Sequence, residues 1–238
     1  MSMSGTFGTR LHRGDGFSLL EMIVAVAIMT IVVGVAVPAV TVAVDRAKKK
    51  ETRSEMSAIA KAVESYFSDT WELPRKLRDL EVEPRGVSGW AGPYIYPPMS
   101  GSANVEPDVS KDAWNRAYLV EQEGDSVLVV ASGGPDRRLG SADDIKMRID
   151  VTPIRRAHTL EELSLINMAV KAYNAKYLPS EPLPNDWSAA RGVLEARGYL
   201  PQGADYLARD GWGDPYVPDP PGGKPVVRFR SRRVGAGH

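Results

Sequence analysis

The feature that most constrains this chain is an uncharged stretch near its N-terminus. From Met22 to Val44, 23 consecutive residues carry no charge and are mostly Val, Ile, Ala and Met. A helix needs about 20 such residues to cross a bilayer. The apolar core of a secretory signal peptide is usually only about 7 to 15 residues long. The stretch therefore predicts a single membrane-spanning helix, with residues 17–44 as the span.

Two residues of this segment depart from a plain membrane anchor. Glu21 places a carboxylate at the front of the apolar helix, where an ionisable group is costly and needs a partner. Pro38 lacks an amide proton and clashes with the preceding turn, which predicts a kink or local melting of the helix. Basic residues flank the stretch on both sides, so the distribution of charge does not fix its orientation.

The segment from Gly16 through Phe17 and Glu21 into the apolar stretch resembles the class III leader of type IV pilins and pseudopilins. The resemblance implies that residues 1–16 are a leader and that a prepilin peptidase cleaves after Gly16 and methylates the new amine of Phe17. It also implies that Glu21 and Pro38 serve in assembly. Asp15 departs from the family pattern, in which a basic or neutral residue is commoner before the glycine.

Apolar residues continue at helical spacing beyond the uncharged stretch, which predicts one unbroken helix over residues 17–68. They are Met56, Ile59, Ala60, Val63, Tyr66 and Phe67. The Pro- and Gly-rich segment that follows indicates an irregular loop. Residues 117–120 and 126–131 then predict two strands of a hairpin around Gly124. A long helix packed on a small antiparallel sheet makes the predicted fold α+β, with a first globular head over residues 69–150.

The chain also aligns with itself. At an offset of 107, residues 55–67 match residues 162–174 with six identities, and at an offset of 98, Asp112, Trp114 and Tyr118 match Asp210, Trp212 and Tyr216. Two copies with loops of different length would produce this shift. We predict a second, smaller pilin-like α+β head over residues 151–238. Its helix would carry a core stripe of Leu163, Ile166, Val170, Tyr173 and Tyr177.

Residues 112–145 resemble the C-terminal half of the major pseudopilin of type II secretion, in which a Gly- and Asp-rich loop binds calcium. Carried over by position, the resemblance implies side-chain ligands from Asp136, Asp143 and Asp144 and a carbonyl ligand from Gly133. Arg137 and the short loop depart from that pattern. The alternative is a solvated acidic turn in which Asp136 pairs with the neighbouring arginines.

Composition argues against an enzyme. The chain has no cysteine, three widely separated histidines and a net charge of zero, and no catalytic motif stands out. Trp114 and Trp212 are interpreted as core anchors of the two heads. The tail from Arg228 to Arg233 is basic and is interpreted as a solvated strand end, although lipid, nucleic acid or an acidic neighbour would also fit it.

We therefore expect a structural subunit of a periplasmic pseudopilus in a type II secretion-like system. The expected partners are further copies, other pseudopilins, the prepilin peptidase, the inner membrane and the assembly platform, without nucleic acid. Before assembly the chain would be a single-pass inner-membrane protein with periplasmic heads. Two alternatives remain: a minor pilin of a type IV pilus for adhesion or DNA uptake, and a membrane-tethered binding module that does not polymerise.

Overall fold

The computed structural model describes residues 18–96 and 109–235, except for the side chains of residues 33–39. The chain divides into two units, Met1–Lys48 and Lys49–His238. Helix α1 covers Leu19–Thr70, close to the predicted bounds. It continues through position 38, so local melting at Pro38 is wrong, and a kink there stays a prediction. A proline removes one hydrogen bond, and the helical turns on both sides remain paired.

Over the residues that the structure describes, no helix is both long enough and apolar enough to cross a membrane.

The first sheet contains three antiparallel strands, β1 (Leu119–Glu123), β2 (Val127–Ser132) and β3 (Ile145–Asp150), in the order β1-β2-β3. The predicted hairpin is confirmed, with the ends of its strands one to three residues further along the chain. Gly124 has a φ of 68° in the connecting turn, a conformation that glycine adopts without steric cost. The sequence analysis missed β3, although Ile145, Met147 and Ile149 alternate with polar residues there.

The long helix and the sheet share one hydrophobic core. The predicted stripe of α1 is confirmed, since all of its members except the half-buried Ala60 are buried. They pack in one cluster with Leu128 and Val130 of β2 and Ile149 of β3. Trp114 belongs to the same cluster and is 5% exposed, as expected of a core anchor. This half of the chain is therefore the predicted α+β arrangement.

The second half contains two further helices and a two-stranded sheet. Helix α2 covers Thr152–Tyr177, and Pro153 stands in its first turn, where the missing amide proton is not needed. Helix α3 covers Trp187–Ala196 and was not predicted. Strands β4 (Val217–Asp219) and β5 (Arg228–Arg230) pair antiparallel. Two short 3₁₀ helices, Leu77–Leu80 and Asp205–Leu207, complete the described elements.

The core of the second half differs from the prediction in its tryptophan. The predicted stripe of α2 packs against α3 and β5, and Tyr177 is its one partly buried member. Trp187 of α3 is the core anchor: it is 3% exposed and its indole Nε1 donates to the Leu207 carbonyl at 2.6 Å. Trp212 is only half-buried, so its predicted role as a core anchor is wrong. The sequence repeat did not predict the role of Trp187, because α3 lies between the two matched segments of the repeat.

One buried arginine links the two halves. The Arg155 guanidinium of α2 lies 4.6 Å from the centre of the Phe67 ring of α1. Its Nη2 donates to the Asp125 carbonyl in the β1–β2 turn at 2.9 Å, and its Nη1 donates to the Gly211 carbonyl in the second half. No linker separates the halves either, because Val151 alone stands between β3 and α2.

We expect Arg155→Ala to lower the free energy of unfolding by about 2–3 kcal/mol, because it removes two charged hydrogen bonds and a cation–π contact. Arg156→Ala is the matched control, since Arg156 is exposed. Urea denaturation followed by circular dichroism measures both. Equal stabilities of the two variants would contradict the role assigned to Arg155.

Candidate functional site

The predicted assembly residues lie at the start of α1. Gly16 and Phe17 fall outside the described residues, as do the side chain of Pro38 and the rest of the leader. Glu21 lies in the first turn, where its Oε2 accepts a hydrogen bond from the Ser18 amide at 3.3 Å. The Ser18 hydroxyl in turn accepts from the Leu20 amide at 3.3 Å. The bond from the Ser18 amide to Glu21 is the glutamate arm of a capping box, and the Ser18 hydroxyl caps the second residue of the helix. This cap was not predicted, although Ser-x-x-Glu is its signature.

The first half of α1 exposes a large apolar surface. Leu19 is 77% exposed and Ile31 is 68% exposed, and the large side chains between them are similarly uncovered. Further exposed side chains on the same stretch of helix are Val40, Val42 and Val44. A helix that is apolar on all sides is stable only where lipid or other protein surrounds it. The surface therefore requires a partner that covers it.

The predicted calcium loop connects β2 and β3. Asp143 Oδ2 accepts from the Asp136 amide at 3.1 Å, and its Oδ1 accepts from the Ser141 hydroxyl at 2.6 Å. Asp144 Oδ2 accepts from the Gly140 amide at 2.9 Å. A β-carbon on Gly134 would lie 2.4 Å from the Asp143 carbonyl oxygen, so only glycine fits where these two backbones meet.

The Asp143 carboxylate thus contacts the main chain of Asp136, whose own Oδ1 accepts from the Arg138 amide at 2.8 Å. Asp144 faces Lys146, whose Nζ lies 3.5 Å from Asp144 Oδ2. The hydrogen bond from Ser141 lowers the pKa of Asp143, and the bond from the Gly140 amide lowers the pKa of Asp144. Both carboxylates are therefore ionised at neutral pH. Within the described ranges, no three acidic or histidine side chains converge as metal ligands would.

Each half of the protein contains a polar network around one buried aspartate. In the first half, Asp112 Oδ1 accepts from the amides of Trp114 and Arg116, and its Oδ2 accepts from the Ser132 hydroxyl at 2.5 Å. In the second half, Asp210 Oδ1 accepts from the amides of residues 212 and 214, and its Oδ2 accepts from the Ser231 hydroxyl at 2.6 Å. The two aspartates thus fix their loops with the same three hydrogen bonds.

A glutamate and a threonine extend each network onto a helix. The Tyr118 hydroxyl donates to Glu55 Oε2 at 2.8 Å, and the Tyr216 hydroxyl donates to Glu162 Oε2 at 2.6 Å. Thr52 Oγ1 accepts from the Ala113 amide at 3.3 Å. Thr159 Oγ1 accepts from the Gly211 amide at 2.9 Å. Sequence reasoning found the aspartates, glutamates and tyrosines as matched positions but missed their contacts.

Glu162 is the most buried carboxylate of the second network. Burial raises the pKa of Glu162, whereas the hydrogen bond from Tyr216 and the charge of His158 lower it. Its Oε1 lies 3.1 Å from His158 Nε2, and the His158 ring lies 4.3 Å from the Trp71 ring at the end of α1. Burial likewise raises the pKa of Glu55.

Comparison with known proteins identifies the class to which this helix and sheet belong. Residues 12–37 match the prokaryotic N-terminal methylation motif. Residues 39–152 match the family described as type II secretion system (T2SS), protein G. No solved structure matches the chain.

Relatives of known name agree with this result. The type II secretion system core protein G of Xanthomonas campestris is 31% identical over 131 residues, which are 54% of this chain and 85% of the relative. The Escherichia coli K12 protein of the same name is 28% identical over 55% of this chain and 88% of its own length. The chain therefore belongs to the type II secretion system protein G family. The relatives' names describe a secretion-system component and not an enzyme.

The raised pKa of Glu162 predicts a dependence of stability on pH. The folded state binds the proton of the Glu162 carboxyl more tightly than the unfolded state does. The stabilisation from this proton is therefore fully present below the unfolded pKa of about 4.3, and it is lost as the pH rises through the folded pKa. Glu162→Gln keeps an acceptor for Tyr216 without a proton to lose, so its stability should fall less between acidic and neutral pH. Urea midpoints across this range measure the effect.

Glu161→Gln is the control, because Glu161 is an exposed neighbour on the same helix. A pH dependence that is unchanged by Glu162→Gln would contradict the assignment.

Proposed function

We propose that this chain is a structural subunit of the periplasmic pseudopilus of a type II secretion system. In this proposal the inner membrane holds the exposed apolar part of α1 before assembly, with the heads in the periplasm. The observation that carries the proposal is Glu21 in the first turn of this apolar helix, within the segment that matches the methylation motif. Other copies, other pseudopilins, the assembly platform and the prepilin peptidase would be its partners.

The proposed mechanism is the exchange of lipid for protein around α1. Cleavage after Gly16 would leave a methylated, cationic amine on Phe17. An unpaired charge is expensive inside an apolar filament core, so the Glu21 carboxylate of a neighbouring subunit would pair with that amine. The pairing would set the register between subunits. The surrounding exposed side chains, such as Leu19 and Ile31, would then pack against neighbouring helices.

We also propose that the second half is a duplicate of the first head, over residues 151–238, without its own membrane helix. The twin networks support this proposal, because Thr52 and Glu55 recur 107 positions later, and Asp112 and Tyr118 recur 98 positions later, with the same hydrogen bonds. Asn115 and Gly213, also 98 positions apart, share a positive φ. The family match ends at residue 152, so this head is an addition to the family's common part.

A further proposal concerns calcium in the β2–β3 loop. Asp136, Asp143 and Asp144 would supply carboxylate oxygens and Gly133 a carbonyl oxygen, the kind of hard ligands that calcium prefers. Two observations support this set: the main chain of Asp136 lies against the Asp143 carboxylate, and the pKa of Asp143 is lowered, so this carboxylate is ionised. The ion would replace some of the hydrogen bonds that these carboxylates accept and would stabilise the loop.

The assembly proposal predicts that Glu21→Gln abolishes the filament. Glutamine at this position retains the capping box with Ser18, so the start of the helix is preserved while the charge is removed. The chain has no native cysteine, so cysteines placed at Val26 and Val40 report contacts between copies alone. In secreting cells, we expect a ladder of crosslinked oligomers from the cysteine protein that keeps Glu21. The cysteine protein with Glu21→Gln should give only monomer.

Mass spectrometry of the same preparations provides the processing control. Both proteins should begin at a methylated Phe17, since Glu21 lies beyond the cleavage point. A native protein that keeps its leader, or a Glu21→Gln ladder equal to that of the native chain, would contradict the mechanism.

The calcium proposal predicts that about 1 mM Ca²⁺ stabilises the protein by about 1 kcal/mol, the effect expected of a site of extracellular affinity. Thermal unfolding in calcium, in magnesium and in chelator measures it. Asp143→Asn should remove the stabilisation by calcium. Asp214→Asn is the control and should leave the stabilisation intact, because Asp214 lies in the loop before β4 of the second half. Identical melting in calcium and chelator would end the proposal.

A further inference from the structure

The two heads differ by one strand. In the first head, β3 pairs with β2 on the side opposite β1, and Val130 of β2 is opposite Met147 of β3. The sheet of the second head consists of β4 and β5 alone, and among the described residues no strand pairs with β5 on its other side. This comparison rests on the proposed duplication. Ser132 and Ser231 correspond, at an offset of 99, because each donates to the buried aspartate of its own half, and Val130 therefore corresponds to Phe229.

An asparagine side chain takes the place of the missing strand. Asn167 of α2 accepts from the Phe229 amide at 2.8 Å and donates to the Phe229 carbonyl at 3.1 Å. These are the two bonds that a residue on a neighbouring strand would make. The residue aligned with Asn167 in the first head is Ala60, which has no such groups. The backbone amide and carbonyl of Phe229 on the open edge of β5 are therefore bonded to a side chain, and the main chain of another strand could make the same two hydrogen bonds.

A groove runs along this edge between α2 and β5. Its volume is about 400 Å³, within the range of about 300–1,000 Å³ that is typical of ligand sites. Apolar side chains line its length, and Met168 among them is 63% exposed. Its rim is basic: Arg228 pairs with Asp219, whereas Lys171 and Arg230 make no ion pair among the described residues.

The outer edge of β1 has the complementary character. Within the described ranges, β1 pairs with β2 alone, so its other edge is open. Leu119, Glu121 and Glu123 alternate along one exposed face of the strand. Glu123 has Arg148 at 3.3 Å, and Glu121 has no ion pair among the described residues. One apolar and two acidic side chains thus face outward on an unpaired strand.

We propose that β1 of a second copy of this chain docks in the groove along β5. The main chain of the incoming strand takes over the two bonds to Phe229, while the Asn167 amide turns to solvent, so hydrogen bonds are exchanged and not lost. Leu119 enters the apolar part of the groove, and Glu121 and Glu123 lie against the basic rim. Each copy offers one strand and one groove, so the contact is head-to-tail and continues along an open filament.

Mixed crosslinking tests this contact. Full-length copies carrying Gln122→Cys on β1 are coexpressed with full-length copies carrying Ser164→Cys in the groove, and crosslinked dimers are counted. Lys146→Cys on β3, the other edge of the same sheet, replaces the β1 cysteine as the matched control. We expect dimers with the β1 cysteine and about tenfold fewer with the β3 cysteine.

Three variants make the test specific. Met168→Lys should lower the yield about tenfold by placing a charge in the apolar groove, and Arg230→Glu should do the same unless it is combined with Glu121→Arg. Asn167→Ala should raise the yield, because it removes the internal competitor for Phe229. A purely structural asparagine would instead lower the yield as the head unfolds.

The crosslinks between α1 helices, formed by the cysteines at Val26 and Val40, distinguish failure of this docking proposal from failure of the proposed filament. A ladder without β1–groove dimers, or with the groove cysteine linked only to other proteins, would overturn the docking and leave the filament intact. The absence of both kinds of crosslink would overturn both proposals.

Discussion

A buried aspartate in the loop before each sheet is the constraint on which both halves of the protein depend. Asp112 and Asp210 are each 5% exposed. A carboxylate in such a place is tolerated only when hydrogen bonds replace the water that it loses. Each obtains them from two loop amides and one serine hydroxyl, so the loop, the strand that carries the serine and the carboxylate must be ordered together. The helix joins through the threonine that accepts from the same loop, which connects helix and sheet by polar contacts in addition to the apolar core.

Arg155 is a buried cation that is likewise stabilised by hydrogen bonds to the main chain. Its guanidinium has no carboxylate partner among the described hydrogen bonds and ion pairs, and it is held by carbonyls of both halves and by the face of Phe67. Burial lowers the pKa of this arginine, and its carbonyl partners and the aromatic ring offset part of that cost. These partners belong to α1, the β1–β2 turn and the loop at residue 211. The guanidinium therefore joins the two halves of the protein by direct contacts.

Much of this architecture follows from local patterns in the sequence. The stripe from Met56 to Phe67, the hairpin at Gly124 and the matched positions of the repeat all rest on periodicity, turn chemistry or identity, which are local signals. Other features needed knowledge of what packs where. Nothing near Trp212 indicates that α3 would supply Trp187 to the core, and nothing near Asn167 indicates that its amide would complete a strand edge. The alternation of Ile145, Met147 and Ile149 with polar residues in β3 is also a local signal, although it was not predicted as a strand.

The junction between the two halves of the protein is short and buried. Separate domains are usually joined by exposed, flexible linkers. Here β3 ends at Asp150, Val151 is fully buried in the first core and donates its amide to the Ser126 carbonyl, and α2 begins at Thr152. The second half is therefore continuous with the core that the family shares, and α2 starts where that core ends. Any function of the second half is for this reason carried out next to the family's common part.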